Sequence, residues 1–200
     1  MNTRTRTLLA ALPLVAALGL AGCAGAARDA GDMPGMDHGS GSHTASAAGS
    51  TDADVMFVTM MIPHHEQAVE MADIVLTKDD VDPRVVAIAE RIQAAQGPEI
   101  ERMQGWLEDW GVDPGTGAGG MDHGDGMMTE DDMTALEDAD GATAGRLFLE
   151  QMVVHHEGAV QMAQAALDDA ADVDVRALAQ QVIDDQTAEI AEMQQLAGSL

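Results

Sequence analysis

One block of this sequence occurs twice. Phe57–Ala72 reads FVTMMIPHHEQAVEMA and Phe148–Ala163 reads FLEQMVVHHEGAVQMA. A second block follows each copy: QGPEIERMQGW from Gln96 and QTAEIAEMQQL from Gln186. The order of parts is the same in both halves, His-His-Glu, then Met, then Gln, Glu-Ile and Met. A lone helix–turn–helix unit with one apolar face has nothing to bury that face against, whereas two copies can cover each other. The duplication therefore predicts an all-α protein, a four-helix bundle made of two helical hairpins related by a pseudo-two-fold axis. No segment alternates with period two among strand-forming residues, so no sheet is expected.

Helix-end signals set the boundaries. Thr51-Asp52 is a candidate cap for the first helix, and Pro83 suits the first turn of the second. Gly111 follows that helix and can stop it. Thr129 with Asp132 is an acidic variant of the capping box, opening a short helix over Glu130–Ala139 ahead of the third long one. The helical domain is thus expected over 52–197, with halves 52–110 and 130–197 joined by a Gly/Met/His linker over 111–129. Pro63 and Gly97-Pro98 should each kink their helix, because proline removes a backbone donor and clashes one turn back. At the second position the kink threatens to displace Glu99 and Met103.

The spacing of apolar residues decides where the histidines point. Phe57, Met61, His64, Ala68, Met71 and Val75 recur in steps of four and three, a seam facing the interior. Val58, Ile62, His65, Val69, Ala72 and Leu76 form the next stripe, so both histidines lie on the wide apolar face. Phe148, Met152, His155, Ala159 and Met162, beside Leu149, Val153, His156, Val160 and Ala163, repeat the pattern. The second helix carries Ile92, Gln96, Glu99, Met103, Trp106 and Trp110 on its seam. The fourth carries Val182, Gln186, Glu189, Met193 and Leu196. If the helices close on one another, His64, His65, His155 and His156 converge with Met61, Met71, Met103, Met152, Met162 and Met193. Burying such polarity without partners costs about 1–3 kcal/mol per group. Either each histidine bonds a Gln or Glu on a facing helix, or the imidazoles and thioethers hold a metal. In the second case Glu99, Glu189, Gln96 and Gln186 stand behind the ligands and orient them.

Donor softness then selects the metal. Thioether sulfur with imidazole suits copper, Cu(I) above Cu(II). Zinc is disfavoured, because its sites more often use Cys or carboxylate. No Glu stands three residues before a histidine, so the di-iron pattern is missing, and so is the His-Glu-x-x-His of zinc proteases. The linkers carry a separate signal. Met36-Asp37-His38-Gly39 recurs as Met121-Asp122-His123-Gly124, followed by Met127 and Met128. Methionine is an odd choice for a solvated tether, and Met36, His38, Met121, His123, Met127 and Met128 are read as auxiliary copper-capturing groups.

The N-terminus bears on the compartment. Arg4 and Arg6 precede an apolar run, Leu8–Leu20, and then Leu20-Ala21-Gly22-Cys23. This reads as a secretory signal over 1–22; the run is short of the roughly 20 residues that span a bilayer. The last four residues resemble a bacterial lipobox, which implies cleavage before Cys23 and lipid attachment to its thiol. Cys23 is the one cysteine, so it has no disulfide partner within the chain. Residues 23–51 then form a flexible Met/His/Gly tether, and the protein is expected outside the cytoplasmic membrane, held by a lipid anchor. Nine basic residues face thirty-five acidic ones, a net charge of −26. Nucleic-acid binding needs a positive face to displace counterions, so it is excluded; the acidity mainly serves solubility.

The doubled His-His-Glu block and the two Gln-x-x-Glu-Ile-x-x-Met segments, Gln96–Met103 and Gln186–Met193, resemble the domain-of-unknown-function 305 family. The likeness covers about residues 52–197. It implies a ferritin-like helical bundle, exported or membrane-tethered, and through CopM-type members it implies copper binding and copper resistance. A copper chaperone, buffer or resistance factor is the leading expectation. A metal-dependent oxidoreductase on the same scaffold is the alternative, although the sequence offers no nucleophile–base set and no cofactor fingerprint. A purely structural or interaction bundle, with its histidines satisfied internally, is the third.

Overall fold

A computed structural model describes residues 50–113 and 126–200. The described residues form five helices and no strand: α1 (Asp52–Leu76), α2 (Pro83–Trp110), α3 (Glu130–Asp138), α4 (Gly141–Asp169) and α5 (Val173–Ala197). None is long and apolar enough to cross a membrane. The signal, the tether as far as residue 49 and the linker over 114–125 lie outside the described residues, and with them Cys23, Met36, His38, Met121 and His123.

Each start is fixed by a short polar side chain, as a helix with orphaned N–H groups requires. Thr51 and Asp54 form a reciprocal capping box on α1, and Thr129 and Asp132 form another on α3. Asp82, Asp140 and Asp172 cap α2, α4 and α5. Pro83 stands in the first turn of α2, and Gly111 ends that helix at φ +67°, a left-handed conformation that favours glycine. Asp54 does more than cap. Its carboxylate also accepts from the backbone N–H groups of Ala171 and Asp172, at 3.1 and 3.0 Å, tying the start of α1 to the α4–α5 turn. Burial pushes this carboxyl up, but the hydrogen bonds from Thr51, Asp172 and Ala171 outweigh it and hold the group below its ordinary value.

α1 packs on α2, α4 on α5, and α1 on α4, while α3 lies across α1 and α4. The turn after α1 meets the start of α4 so closely that a side chain at Gly141 would collide with the Asp79 backbone. Both internal prolines are accommodated: α1 and α2 continue unbroken through Pro63 and Pro98. The turns around them are held by packing on both sides, which outweighs one missing backbone donor. Glu99, next to Pro98, stays against its hairpin partner, and Met103 is completely buried.

The interior splits into two apolar clusters. One gathers Met71, Val75, Ile88, Phe148, Met152 and Met193; the other gathers Phe57, Met61, Met103, Leu107, Ala163 and Leu178. On α2 the seam departs from expectation at its end. Leu107, not Trp106, is fully buried, while Trp106 and Trp110 lie half-buried and stacked 6.2 Å apart. A straight helix of 3.6 residues per turn drifts off a strict seven-residue repeat, and over the length of α2 the drift amounts to one position.

Candidate metal centre

The four histidines of the two repeated blocks are buried, each at most 1 % exposed. The expected inward orientation therefore holds for both pairs, and the pairs divide into two kinds.

His64 and His155 form an inner pair. They come from opposite halves, and their rings face each other with centroids 3.8 Å apart and planes inclined by 43°. All four of their ring nitrogens lack a hydrogen-bond partner among the described residues. Burial, and then repulsion from His65 and His156, lowers the His64 pKa from 6.5 to about 3. Burial also holds His155 well below its ordinary value, followed by the charges it would meet at His64, His156 and His65. The His64 backbone lies near enough to offset this slightly, short of hydrogen-bond geometry. At neutral pH both rings are neutral, so each keeps one nitrogen lone pair free of a proton.

His65 and His156 form an outer pair, each bonded within its own hairpin. His65 Nε2 lies 2.9 Å from a Glu99 oxygen, and His156 Nε2 lies 2.8 Å from a Glu189 oxygen. An ionised carboxylate only accepts, so the ring proton sits on Nε2 and donates to the Glu. In the neutral ring this leaves Nδ1 with its lone pair, and both Nδ1 atoms are unpartnered. A ring held by a carboxylate on one nitrogen and open on the other is the arrangement metal-ligating histidines adopt.

The expected supporting groups do not behave alike. Glu99 is held on its far oxygen as well: Gln181 Nε2, from α5, donates to it at 2.8 Å. Glu189 has no such bond among those observed, and its side chain is more exposed, 19 % against 8 %. Among the described residues, Gln96 and Gln186 bond no histidine. They line a cleft of about 470 Å³ between α2 and α5, together with Glu99 and Glu189. Both polar atoms of the Gln96 amide and the Gln186 oxygen are without partners. This cleft gives the Glu side of the histidine layer a route to solvent.

The methionines are partitioned between the two apolar clusters. Met71, Met152 and Met193 belong to one, Met61 and Met103 to the other, and half-buried Met162 packs against the latter. Met128 differs from the linker role expected of it. Its backbone exchanges two hydrogen bonds with Gln67, at 2.7 and 2.9 Å, and its side chain packs on the first cluster. Gln67 thus fastens the end of the linker into the helical domain, while Met127 beside it is half-buried. Among the described residues, no three His, Cys, Asp or Glu side chains converge as a metal site on their own. The donors fit a soft metal even so: unpartnered neutral imidazole nitrogens in a buried layer, flanked along the helices by thioethers. Sequence reasoning missed Gln181, because its partner stands in the other half and nothing local marks it. It also missed Met56 and Met60, which lie off the buried seam.

Comparisons with known proteins agree with this architecture. None of the curated proteins matches the chain. Among solved structures, a DUF305 protein from Streptomyces coelicolor described as secreted is 33 % identical, with a TM-score of 0.68 over 72 % of this chain and 89 % of that one. A DUF305 fragment from Deinococcus radiodurans is 33 % identical, with a TM-score of 0.69 over 76 % of this chain and 99 % of that one. CopM in its Cu(I)-bound form is 31 % identical, with a TM-score of 0.62 over 73 % of this chain and 96 % of that one; Cu(II)-bound and silver-bound forms match it too. The family model described as a domain of unknown function, DUF305, matches residues 54–197, and the chain belongs to that family.

Proposed function

We propose that this protein binds copper outside the cytoplasmic membrane, as a chaperone, buffer or resistance factor, with Cu(I) as its cargo. The observation that carries this reading is the inner histidine pair: two buried imidazoles from opposite halves of the chain, both held neutral, with all four ring nitrogens unpartnered among the described residues and one lone pair open on each ring. A packed core does not spend about 1–3 kcal/mol per orphaned group without a return. A bound soft cation supplies one, and the low proton affinity means that protons do not compete for the same lone pairs. Structural likeness to the Cu(I)- and Cu(II)-bound forms of CopM supports copper as the metal.

In this reading the four long helices act as a ferritin-like four-helix bundle. The pseudo-two-fold axis passes between His64 and His155, which accounts for their close approach. Met61 and Met103 lie on one side of the histidine layer, Met71, Met152 and Met193 on the other, and thioethers from either side complete the coordination. Glu99 and Glu189 orient His65 and His156, and the α2–α5 cleft with Gln96 and Gln186 admits the ion. The signal over 1–22, the lipid on Cys23 and a Met/His tether place the domain at the outer face of the membrane. Met36, His38, Met121, His123 and Met127 serve as loose capture groups. The likeness to a Streptomyces protein described as secreted supports export.

The test is competition for Cu(I) against a chromophoric chelator, using the full chain and its His64→Leu/His155→Leu variant. Loss of the tightest-bound equivalent in the variant is the expected result. Unchanged stoichiometry and affinity in a folded variant would reject the core site. Metal-dependent oxygen consumption would replace storage with oxidoreductase activity.

A further inference from the structure

A groove of about 410 Å³ opens where α1 begins and α4 finishes, away from the histidine layer. Its lining includes three thioethers, Met56 and Met60 of α1 and Met162 of α4, and two carboxylates, Asp52 and Asp169. Met56 is 52 % exposed in a chain whose exposed positions are mostly acidic or amide residues. A single exposed methionine needs no explanation. Three lining one groove beside two anions do.

The internal duplication supplies a control. Aligning the halves on their Phe and His-His residues puts Leu147 in the place of Met56, Gln151 in the place of Met60, Lys78 in the place of Asp169 and Thr143 in the place of Asp52, while Met162 keeps a methionine counterpart in the completely buried Met71. In that half the face is covered by α3. Leu136 of α3 is completely buried, with Leu147 packed against the same cluster. Gln151 donates to the Asp132 carbonyl at 3.1 Å, and Lys78 donates to the carbonyls of Glu137 and Ala139 at 2.6 and 2.9 Å. Where the face is covered, Leu147, Gln151 and Lys78 are an aliphatic, an amide and a cation, each used by the covering helix. Where it is open, their counterparts are a thioether, a thioether and an anion.

We propose that Met56, Met60 and Met162 form a second, surface site for a soft monovalent cation, Cu(I) or Ag(I), with Asp52 and Asp169 supplying the balancing negative field. Residues four apart on a helix are neighbours, and α4 packs directly on α1. Unbranched methionine side chains can swing together around one ion. Thioether sulfur prefers Cu(I) to harder cations, and it carries no proton to be displaced. The site shares no imidazole with the core and stands whether or not the histidine layer binds metal.

Silver(I) titration of the full chain with 13C-labelled methionine methyl groups tests it. The Met56, Met60 and Met162 signals should shift together in both chains, and saturate one silver equivalent earlier in His64→Leu/His155→Leu than in the native chain, where the core takes the first ion. Met56→Leu/Met60→Leu keeps shape and apolarity; it should bind one silver ion fewer, with unchanged helical circular dichroism. If the inner-histidine variant loses no silver while these signals still move, the core reading fails and this one holds. Signals of Met56 and Met60 that stay fixed, or full stoichiometry in the double variant, would overturn the site. Signals that move with protein concentration in the absence of metal would also overturn it and make the groove a seat for a second copy of the chain.

Discussion

His64 and His65 are neighbours in sequence, as are His155 and His156, yet the members of each pair end in opposite circumstances. Successive residues of a helix diverge by about 100°. One imidazole therefore turns towards its own hairpin's second helix and finds a glutamate 2.8–2.9 Å away. The other turns towards the opposite half and finds only its counterpart, ring against ring, with no hydrogen bond. The outer pair can form within a single hairpin, whereas the inner pair exists only once the two halves are assembled. The outer histidines thus behave as part of the metal-free structure, and the inner ones as a polar cost that the metal-free structure carries.

The sharpest way to break that comparison is to replace one member of each kind with leucine and unfold the metal-free protein in urea. His65→Leu removes the donor to one oxygen of the largely buried Glu99 carboxylate and leaves only Gln181 on the other, and losing a hydrogen bond to a charged group should cost about 2 kcal/mol. His64→Leu removes two unpartnered nitrogens at similar volume, and should raise stability by about 1 kcal/mol or more. Opposite signs at adjacent positions are the expected outcome. A loss of stability at both would mean that the inner rings are satisfied in solution, and the distinction between the pairs would collapse.

Acid tests the same axis. The folded-state pKa of His64 lies far below that of the unfolded chain, about 3 against 6.5. Between those values the unfolded state binds more protons than the folded one. The stability tied to the neutral ring is therefore fully present above pH 6.5 and is lost as pH falls towards 3. The slope is about 1.4 kcal/mol per pH unit for His64 alone, and His155, depressed in the same direction, adds to it. Between about pH 7 and pH 5, ahead of the ordinary carboxylate range, the urea midpoint of the metal-free protein should drop. In His64→Leu/His155→Leu it should stay nearly flat. A native midpoint that does not move would show that protons reach these rings without unfolding.

Periodicity alone made much of this legible. The repeated block announced two copies of one helical hairpin, and the four-three spacing put every one of the four histidines inside. Thr51, Asp132, Pro83 and Gly111 marked helix ends correctly because capping is a local property, decided within one turn. What the sequence could not resolve depends on where a side chain points after two halves have met. Spacing places Gln96 and Gln186 on the seam but not whether they bond a ring; both instead line the cleft. Trp106 was read as core, and Leu107 took the position because helical drift accumulates with length. Met128 was read as linker; the Gln67 amide that fastens it stands sixty-one residues away. The covering of one α1–α4 face by α3, and the openness of its counterpart, likewise follows from tertiary packing.

The smallest predicted effect concerns the difference between the two outer histidines. Glu99 is held by His65 on one oxygen and by Gln181 on the other, whereas Glu189 is held by His156 and is more exposed. The residue matching Gln181 in the first half is Arg91, which pairs with Glu192 on the surface at 2.5 Å and so bonds a different glutamate. Gln181→Leu should cost about 1 kcal/mol, the ordinary worth of a hydrogen bond whose acceptor can still reach water through the cleft. Because Gln181 and His65 share one carboxylate, their substitutions should not add: in the Gln181→Leu background Glu99 turns further to solvent, and the penalty for His65→Leu should shrink by about 0.5 kcal/mol or more. His156→Leu, measured alongside, should keep its full cost in that background. Strict additivity at His65 would mean that Gln181 does not hold Glu99, and that the two halves of the site are equivalent despite their different neighbours.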